Sequence, residues 1–284
     1  MLKLGLLGFP ATYSLSPVIF EAAFRAAGID GSYKIFPTHA NDLRDTVWQL
    51  AAQGYRGVNV TTPHKEAALR LAQNPSPDAI LAGAANLLLF DQPGTIAAFN
   101  TDIPAIAKVI SDIRREISGL DSAMVLGSSG AARATIIALV RDLGLGRITI
   151  AARDTCKLMH WVDENAAVFY GITLSLVDWD EKESTVAHHK PALVVNATTL
   201  GWHDSDPYPI QPDLLPGVKF VLDLNYPSPN RWLDAIRERY IPCRDGKMML
   251  LWQAVLGFEI FTGVKAPFDE MRTALEKEAG KIDD

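Results

Sequence analysis

The stretch Gly57–Lys65, GVNVTTPHK, runs from β-branched into small polar residues, stops at Pro63 and delivers Lys65. Other polar side chains fall where strands end or loops open: Ser14 and Ser16 in YSLSP, Asn59 and Thr61 in the same stretch, Asn86 in GAANLLLF, and Asp102 closing FNTD. Each alone is an ordinary loop residue. Their shared placement beyond strand carboxyl ends, where α/β proteins bind ligands, makes an ammonium, a carboxylate, hydroxyls and amides read as one small-molecule site.

A second constellation lies in VLGSSGAARA, where a glycine follows a strand directly and a helix opens behind it. The backbone N–H groups of Ser128, Ser129, Gly130 and Ala131 at such a helix start suit a pyrophosphate. Gly127 and Ala132 occupy the first and last positions of G-x-G-x-x-G/A; Ser129 takes the second, and Gly130 assumes part of that role. The end of the next strand, AARDTCK, is expected to face an adenosine ribose. There Arg153 can clamp a 2′-phosphate, whereas Asp154 can accept from a 2′-hydroxyl and would repel the phosphate, so the two argue for NADP and NAD respectively.

The elements that must position these residues alternate. Leu4–Gly8 reads as a strand, about Pro17–Ala27 as a helix with proline in its first turn, Tyr33–Phe36 as a strand, Asp42–Gln53 as a helix and Val58–Val60 as a strand. A second βα series follows from AMVLGSSG through RITIAAR, ITLSLV, PALVVNATTLGW and VKFVLDLNYPSP. The fold expected is α/β: an N-terminal α/β substrate domain, residues 1–103, then a doubly wound Rossmann-type nucleotide-binding domain, 104–245. The boundary is expected near the helix containing Ile106–Ile117, and the apolar KMMLLWQAVLGFEIFTG opens C-terminal helices, 246–284, that return to the first domain. Asn74–Pro77 and His203–Pro212 read as loops.

Composition narrows the function. The chain has 284 residues, with 33 acidic against 27 basic side chains and no basic stripe, which argues against nucleic acid and for a small-molecule substrate. MLKLGLLGFP is too short and too interrupted for a targeting segment, and no apolar run reaches membrane-spanning length. Cys156 and Cys243 belong to no metal or disulfide pattern, and His188–His189 lack metal-site spacing, consistent with a soluble cytoplasmic enzyme without metal.

Together the motifs resemble the shikimate dehydrogenase family over nearly the whole chain. Gly8-Phe9-Pro10 through Ser14-Leu15-Ser16-Pro17 is similar to its G-x-P…S-x-S-P, Asn59–Lys65 to N-V-T-x-P-x-K, Gly83–Asn86 to G-A-x-N, Asn100–Asp102 to N-T-D, and NATTLGW to N-A-T-x-x-G-M. Tyr226 matches its strand-end tyrosine and Gln253 its helix glutamine. The resemblance implies NADP- or NAD-linked interconversion of 3-dehydroshikimate and shikimate. Ser14 and Ser16 would hold the substrate carboxylate; Thr61, Asn86, Asp102 and Gln253 would address ring hydroxyls, with Tyr226 beside them; Lys65 and Asp102 would be the catalytic pair. Thr198 and Met248 would join the cofactor residues. His64 falls outside the family's catalytic positions and is expected to be a loop or surface histidine.

The chain departs from the family pattern at Ser129, Trp202, Met248, Leu87 and Phe20. The Arg153 position in the family's N-R-T favours NADP. Competing readings are a quinate/shikimate or related cyclitol-acid dehydrogenase, and a non-catalytic shikimate-sensing module on the same fold. A monomer or a homodimer is expected.

Overall fold

A computed structural model describes every residue except Pro93, Asp204, Pro227, Ser228 and Asp284; the side chains of residues 281–283 are likewise left undescribed. The chain divides into two compact units, Met1–Ala105 with Leu250–Asp284, and Ile106–Met249.

The first unit opens with β1 (Leu2–Gly8), α1 (Ser16–Ala27), β2 (Gly31–Pro37), α2 (Leu43–Ala52), β3 (Gly57–Val60), α3 (Lys65–Leu71), β4 (Asn74–Pro75), α4 (Pro77–Ala82), β5 (Leu87–Gln92) and β6 (Thr95–Phe99). Its six-stranded sheet has the order β2-β1-β3-β5-β6-β4. β1 is parallel to both β2 and β3, whereas β5 runs antiparallel to β3 and β6. Leu7, Val58, Val60, Leu88, Ile96 and Ala98 from the strands pack with Val47 and Leu50 of α2 in one core. Of the segment Asn74–Pro77, expected to be a loop, Asn74 and Pro75 instead pair as β4 with β6, Ser76 accepts from Ala79 N at 3.3 Å to cap α4, and Pro77 opens that helix. The same Pro and Ser residues that signal a turn suit an edge strand and a helix start equally well.

Helix α5 (Asp102–Glu116) carries the first division between the units. The second unit continues with β7 (Ser122–Leu126), α6 (Gly130–Ile137), β8 (Arg147–Ala152), α7 (Thr155–Glu164), β9 (Thr173–Asp178), α8 (Lys182–His189), β10 (Leu193–Asn196), β11 (Phe220–Asp223), α9 (Arg231–Arg237) and β12 (Cys243–Arg244). The sheet order β12-β11-β10-β7-β8-β9 is parallel throughout. It is the doubly wound order, reversing between β7 and β10. The burial of β7, β10 and β11 at every position explains their uninterrupted apolar runs.

Helix α10 (Lys247–Thr262) carries the return to the first unit, and α11 (Phe268–Asp283) packs against α1. Among the described residues no helix is long and apolar enough to cross a membrane, and no group of three or more His, Cys, Asp or Glu side chains could hold a metal ion.

Candidate active site

At the carboxyl end of β1 the chain must pass close to the end of β3. A Cβ on Gly8 would collide with Thr61 Cγ2, so glycine permits the approach. Beyond it, Ser14 Oγ donates to Ser16 Oγ at 3.1 Å and accepts from Ser16 N at 3.2 Å. Ser16 is the first residue of α1. Two touching hydroxyls at a helix start offer donors where the helix dipole favours an anion, which suits a carboxylate.

The turn after β3 aims the lysine. His64 N donates to Thr61 O at 2.9 Å, and α3 begins at Lys65. His64 is not the surface residue expected: it is 1% exposed, with Nε2 2.7 Å from Thr38 O. The imidazole pins the turn to the loop after β2, a tertiary contact invisible in PHK itself.

Lys65 Nζ donates to Asp102 Oδ2 at 2.6 Å, the two side chains being 17% and 2% exposed. Asn100 Oδ1 accepts from Asp102 N at 3.0 Å and Ile103 N at 3.2 Å, capping α5 and fixing the backbone of Asp102. Asn before a helical run is the ordinary sequence signal for this role. Thr101 donates from Oγ1 to Gln253 O at 3.3 Å. Gln253 Nε2 in turn donates to Leu250 O at 2.8 Å.

Asn86 lies before the amino end of β5, yet reaches the edge occupied by Thr61 because β5 is antiparallel to β3, with Asn59 opposite Leu87. Its side chain, in a residue 2% exposed, is already engaged: Nδ2 donates to Thr101 Oγ1 and to Asp102 Oδ1, both at 2.8 Å, while Oδ1 accepts from Thr101 N at 2.7 Å. Both amide hydrogens are thus engaged within the protein, one of them on Asp102.

In the second unit, Gly127 leaves β7 at φ +113, and a Cβ there would press on Ala197 O and Thr198 Cγ2 at 3.2 Å. Ser129 caps α6 by accepting from Ala132 N at 3.4 Å and donates to Ala197 O at 3.2 Å. Its hydroxyl therefore faces protein, bridging the ends of β7 and β10 at the switch point. Ser128, Gly130 and Ala131 stand in the same turn, where helix geometry leaves first-turn N–H groups without intrahelical acceptors.

After β8, Asp154 is the N-cap of α7, accepting from Lys157 N at 2.9 Å. Arg153 is exposed beside it, and Lys157 adds an exposed cation to the same helix end. Thr198 is tied into its own loop, donating to Asn196 Oδ1 at 2.7 Å and accepting from Leu200 N at 3.1 Å. Tyr226 and half-buried Met248 lie in the second unit. The Tyr226 ring meets Trp202 edge-on at 5.3 Å.

Asp223 ends β11 fully buried. Burial pushes its carboxyl up to about 7, against the opposing pull of hydrogen bonds from Asn230, Asn225 and Asn196.

The shikimate dehydrogenase substrate binding domain matches residues 6–88, and the shikimate 5'-dehydrogenase C-terminal domain matches residues 249–276. A shikimate dehydrogenase (NADP(+)) from Afipia carboxidovorans is 37% identical over 259 residues, 91% of this chain and 90% of that protein. The Thermus thermophilus shikimate 5-dehydrogenase, solved in complex with NADP(H) and shikimate, superposes with a TM-score of 0.80 at 30% identity, covering 98% of this chain and 99% of the other. A quinate dehydrogenase from Corynebacterium glutamicum in complex with NAD gives a TM-score of 0.82 at 27% identity, over 97% and 99% of the two chains.

Proposed function

The chain belongs to the shikimate dehydrogenase family, and from that premise we propose that Lys65 and Asp102 are its catalytic pair, with Ser14 and Ser16 holding the substrate carboxylate. The reaction is the NADP-dependent interconversion of 3-dehydroshikimate and shikimate. The observation that carries the assignment is the 2.6 Å contact between Lys65 Nζ and an Asp102 carboxylate that Asn86 holds from its other oxygen.

NADPH held by the second unit would supply the hydride for reduction of the ring carbonyl. The carbonyl oxygen gains negative charge as this happens, and the Lys65 ammonium stabilises that charge and donates the proton. In the oxidative direction Lys65, as the neutral amine, receives the hydroxyl proton and becomes the ammonium. Asp102, fixed by Asn86 and by the Asn100 cap, holds the lysine in one orientation. Thr61 and Gln253 address ring hydroxyls.

The donors of the second unit fit a phosphorylated dinucleotide. Gly127 allows close approach, the first turn of α6 suits the pyrophosphate, and Arg153 offers a charged fork for the 2′-phosphate. Asp154 Oδ1 already serves the α7 cap, which accounts for an aspartate here without a ribose 2′-hydroxyl contact and so supports NADP.

The first unit thus serves substrate binding and catalysis, and the second serves the nucleotide. Both cysteines are free thiols, which supports a cytoplasmic setting; a monomer or homodimer with no nucleic-acid partner fits the mildly acidic chain. The test is incubation of purified protein with shikimate or quinate and with NADP+ or NAD+, following reduced-cofactor absorbance. Turnover of shikimate with NADP+ is expected. Turnover of quinate alone, or of neither acid, contradicts the assignment.

A further inference from the structure

We propose that Asp223 is a positioning residue for nucleotide binding: it ties the loops that leave β10 and β11 into one hydrogen-bonded unit and so holds Thr198 and the Trp202–Tyr226 pair in place. The inference rests on the second unit binding NADP.

The geometry demands a carboxylate. Asp223 Oδ1 accepts from Asn196 Nδ2 at 2.9 Å and from Asn225 N at 3.0 Å, while Oδ2 accepts from Asn230 Nδ2 at 2.9 Å. Neither asparagine side chain is free to turn its amide around. Asn196 Oδ1 already accepts from Thr198 N at 3.1 Å and Thr198 Oγ1 at 2.7 Å, and its Nδ2 also donates to Leu200 O at 3.0 Å. Asn230 Oδ1 caps α9 by accepting from Leu233 N at 3.0 Å. The position at 223 therefore faces three donors, and only a group that accepts on both oxygens satisfies them all.

The bonds that meet at Asp223 also reach the loop residues. Asn225 Nδ2 donates to Thr198 O at 2.9 Å and Leu200 O at 3.2 Å, so the loop after β11 is laced to the loop after β10 beside the switch point. Trp202 N closes the same loop on Thr199 O at 3.3 Å. Buried at the carboxyl end of the inner strand β11, Asp223 takes no part in the proton transfer of the reaction; its effect passes through the residues it holds.

The arrangement predicts its own rescue. In Asp223→Asn, the retained oxygen still accepts from Asn196 and Asn225, but the new NH2 faces the NH2 of Asn230. Adding Asn230→Asp turns that clash into a hydrogen bond, with the new carboxylate accepting from residue 223 while its other oxygen caps α9, a position that aspartate fills well.

The experiment compares wild type, Asp223→Asn and the double variant by calorimetric titration with NADP+ and, separately, with shikimate, and by hydrogen exchange at the amides of Thr198, Leu200 and Asn225 in the free protein. Expected are a roughly tenfold or greater loss of NADP+ affinity in Asp223→Asn, faster exchange at the three amides, unchanged shikimate affinity, and recovery of both losses in the double variant. If the single variant does not fold, recovery of wild-type NADP+ affinity in the double variant still bears the inference out. Wild-type NADP+ affinity in a folded Asp223→Asn protein overturns it, as does a folded double variant that fails to recover. Wild-type protein that binds shikimate but no NADP+ overturns the nucleotide reading itself.

Discussion

Lys65 Nζ and Asp102 Oδ2 stand 2.6 Å apart, and the carboxylate is the more deeply buried partner, 2% exposed against 17% for the lysine. The pair is therefore anchored at its acidic end. Asp102 sits on a capped helix start and is gripped by Asn86, while the ammonium is the end that retains access to a ligand.

If Lys65 and Asp102 are the catalytic pair proposed above, that anchoring makes Asn86 a lever on turnover. Asn86→Ala removes the 2.8 Å bond to Asp102 and the bonds to Thr101 together, leaving Asp102 free to rotate. We expect kcat to fall by roughly 10-fold to 100-fold, as misplacement of a reacting group does, with the KM for shikimate nearly unchanged. A large rise in KM with kcat preserved would show that Asn86 grips the substrate directly.

The Ser14 and Ser16 hydroxyls should act chiefly in binding. Replacing both with alanine is expected to raise the KM for shikimate by about 1–3 kcal/mol of lost interaction with a charged acceptor, leaving kcat comparatively intact. Loss of NADP affinity with an unaltered shikimate KM would assign the serines to the other ligand.

Cofactor choice is expected to turn on two neighbours after β8. Arg153→Ala should weaken NADP by about 1.5–3 kcal/mol, the worth of a charge-assisted bond, and leave NAD turnover nearly unchanged. Asp154→Ala should cost about 0.5–2 kcal/mol of stability through the lost α7 cap, with little effect on the NADP-to-NAD ratio. A strong shift of Asp154→Ala toward NADP, in steady-state kinetics with both cofactors, would mean that the carboxylate faces the ribose after all.

Asp223 gives the folded protein a distinctive pH dependence. Its carboxyl is raised from 3.8 to about 7 in the folded state. The stabilisation this represents is fully present below the unfolded value of 3.8 and is lost as pH rises through about 7. Asp223→Asn has no such proton, so between pH 4 and pH 8 the difference in unfolding free energy between wild type and variant should move steadily in the variant's favour, by a few kcal/mol at most. A pH-independent difference in denaturant melts would refute this.

The residues proposed to act through their type were legible as positions in the sequence: Lys65, Asp102 and the serines lie at strand ends and helix starts that alternating patterns locate. The residues that act through a partner were not. His64 looks like any loop histidine until β2 brings Thr38 to it, and the Asn86 grip on Asp102 depends on the antiparallel turn of β5. Asp223 and its asparagines span residues 196–230 and meet only because β10 and β11 lie side by side. The Arg153 and Asp154 pair was equivocal for a local reason, since a helix cap and a ribose ligand call for the same side chain.

The role of Lys65 is tested most directly by single-turnover kinetics of Lys65→Ala with saturating shikimate and NADP+. The rate should fall by about 10²–10⁴, the span for a lost positioned proton donor and acceptor, while the protein stays folded and still binds both ligands in calorimetric titrations. A Lys65→Ala enzyme that forms NADPH at the wild-type rate would contradict the Lys65–Asp102 pair as the seat of catalysis.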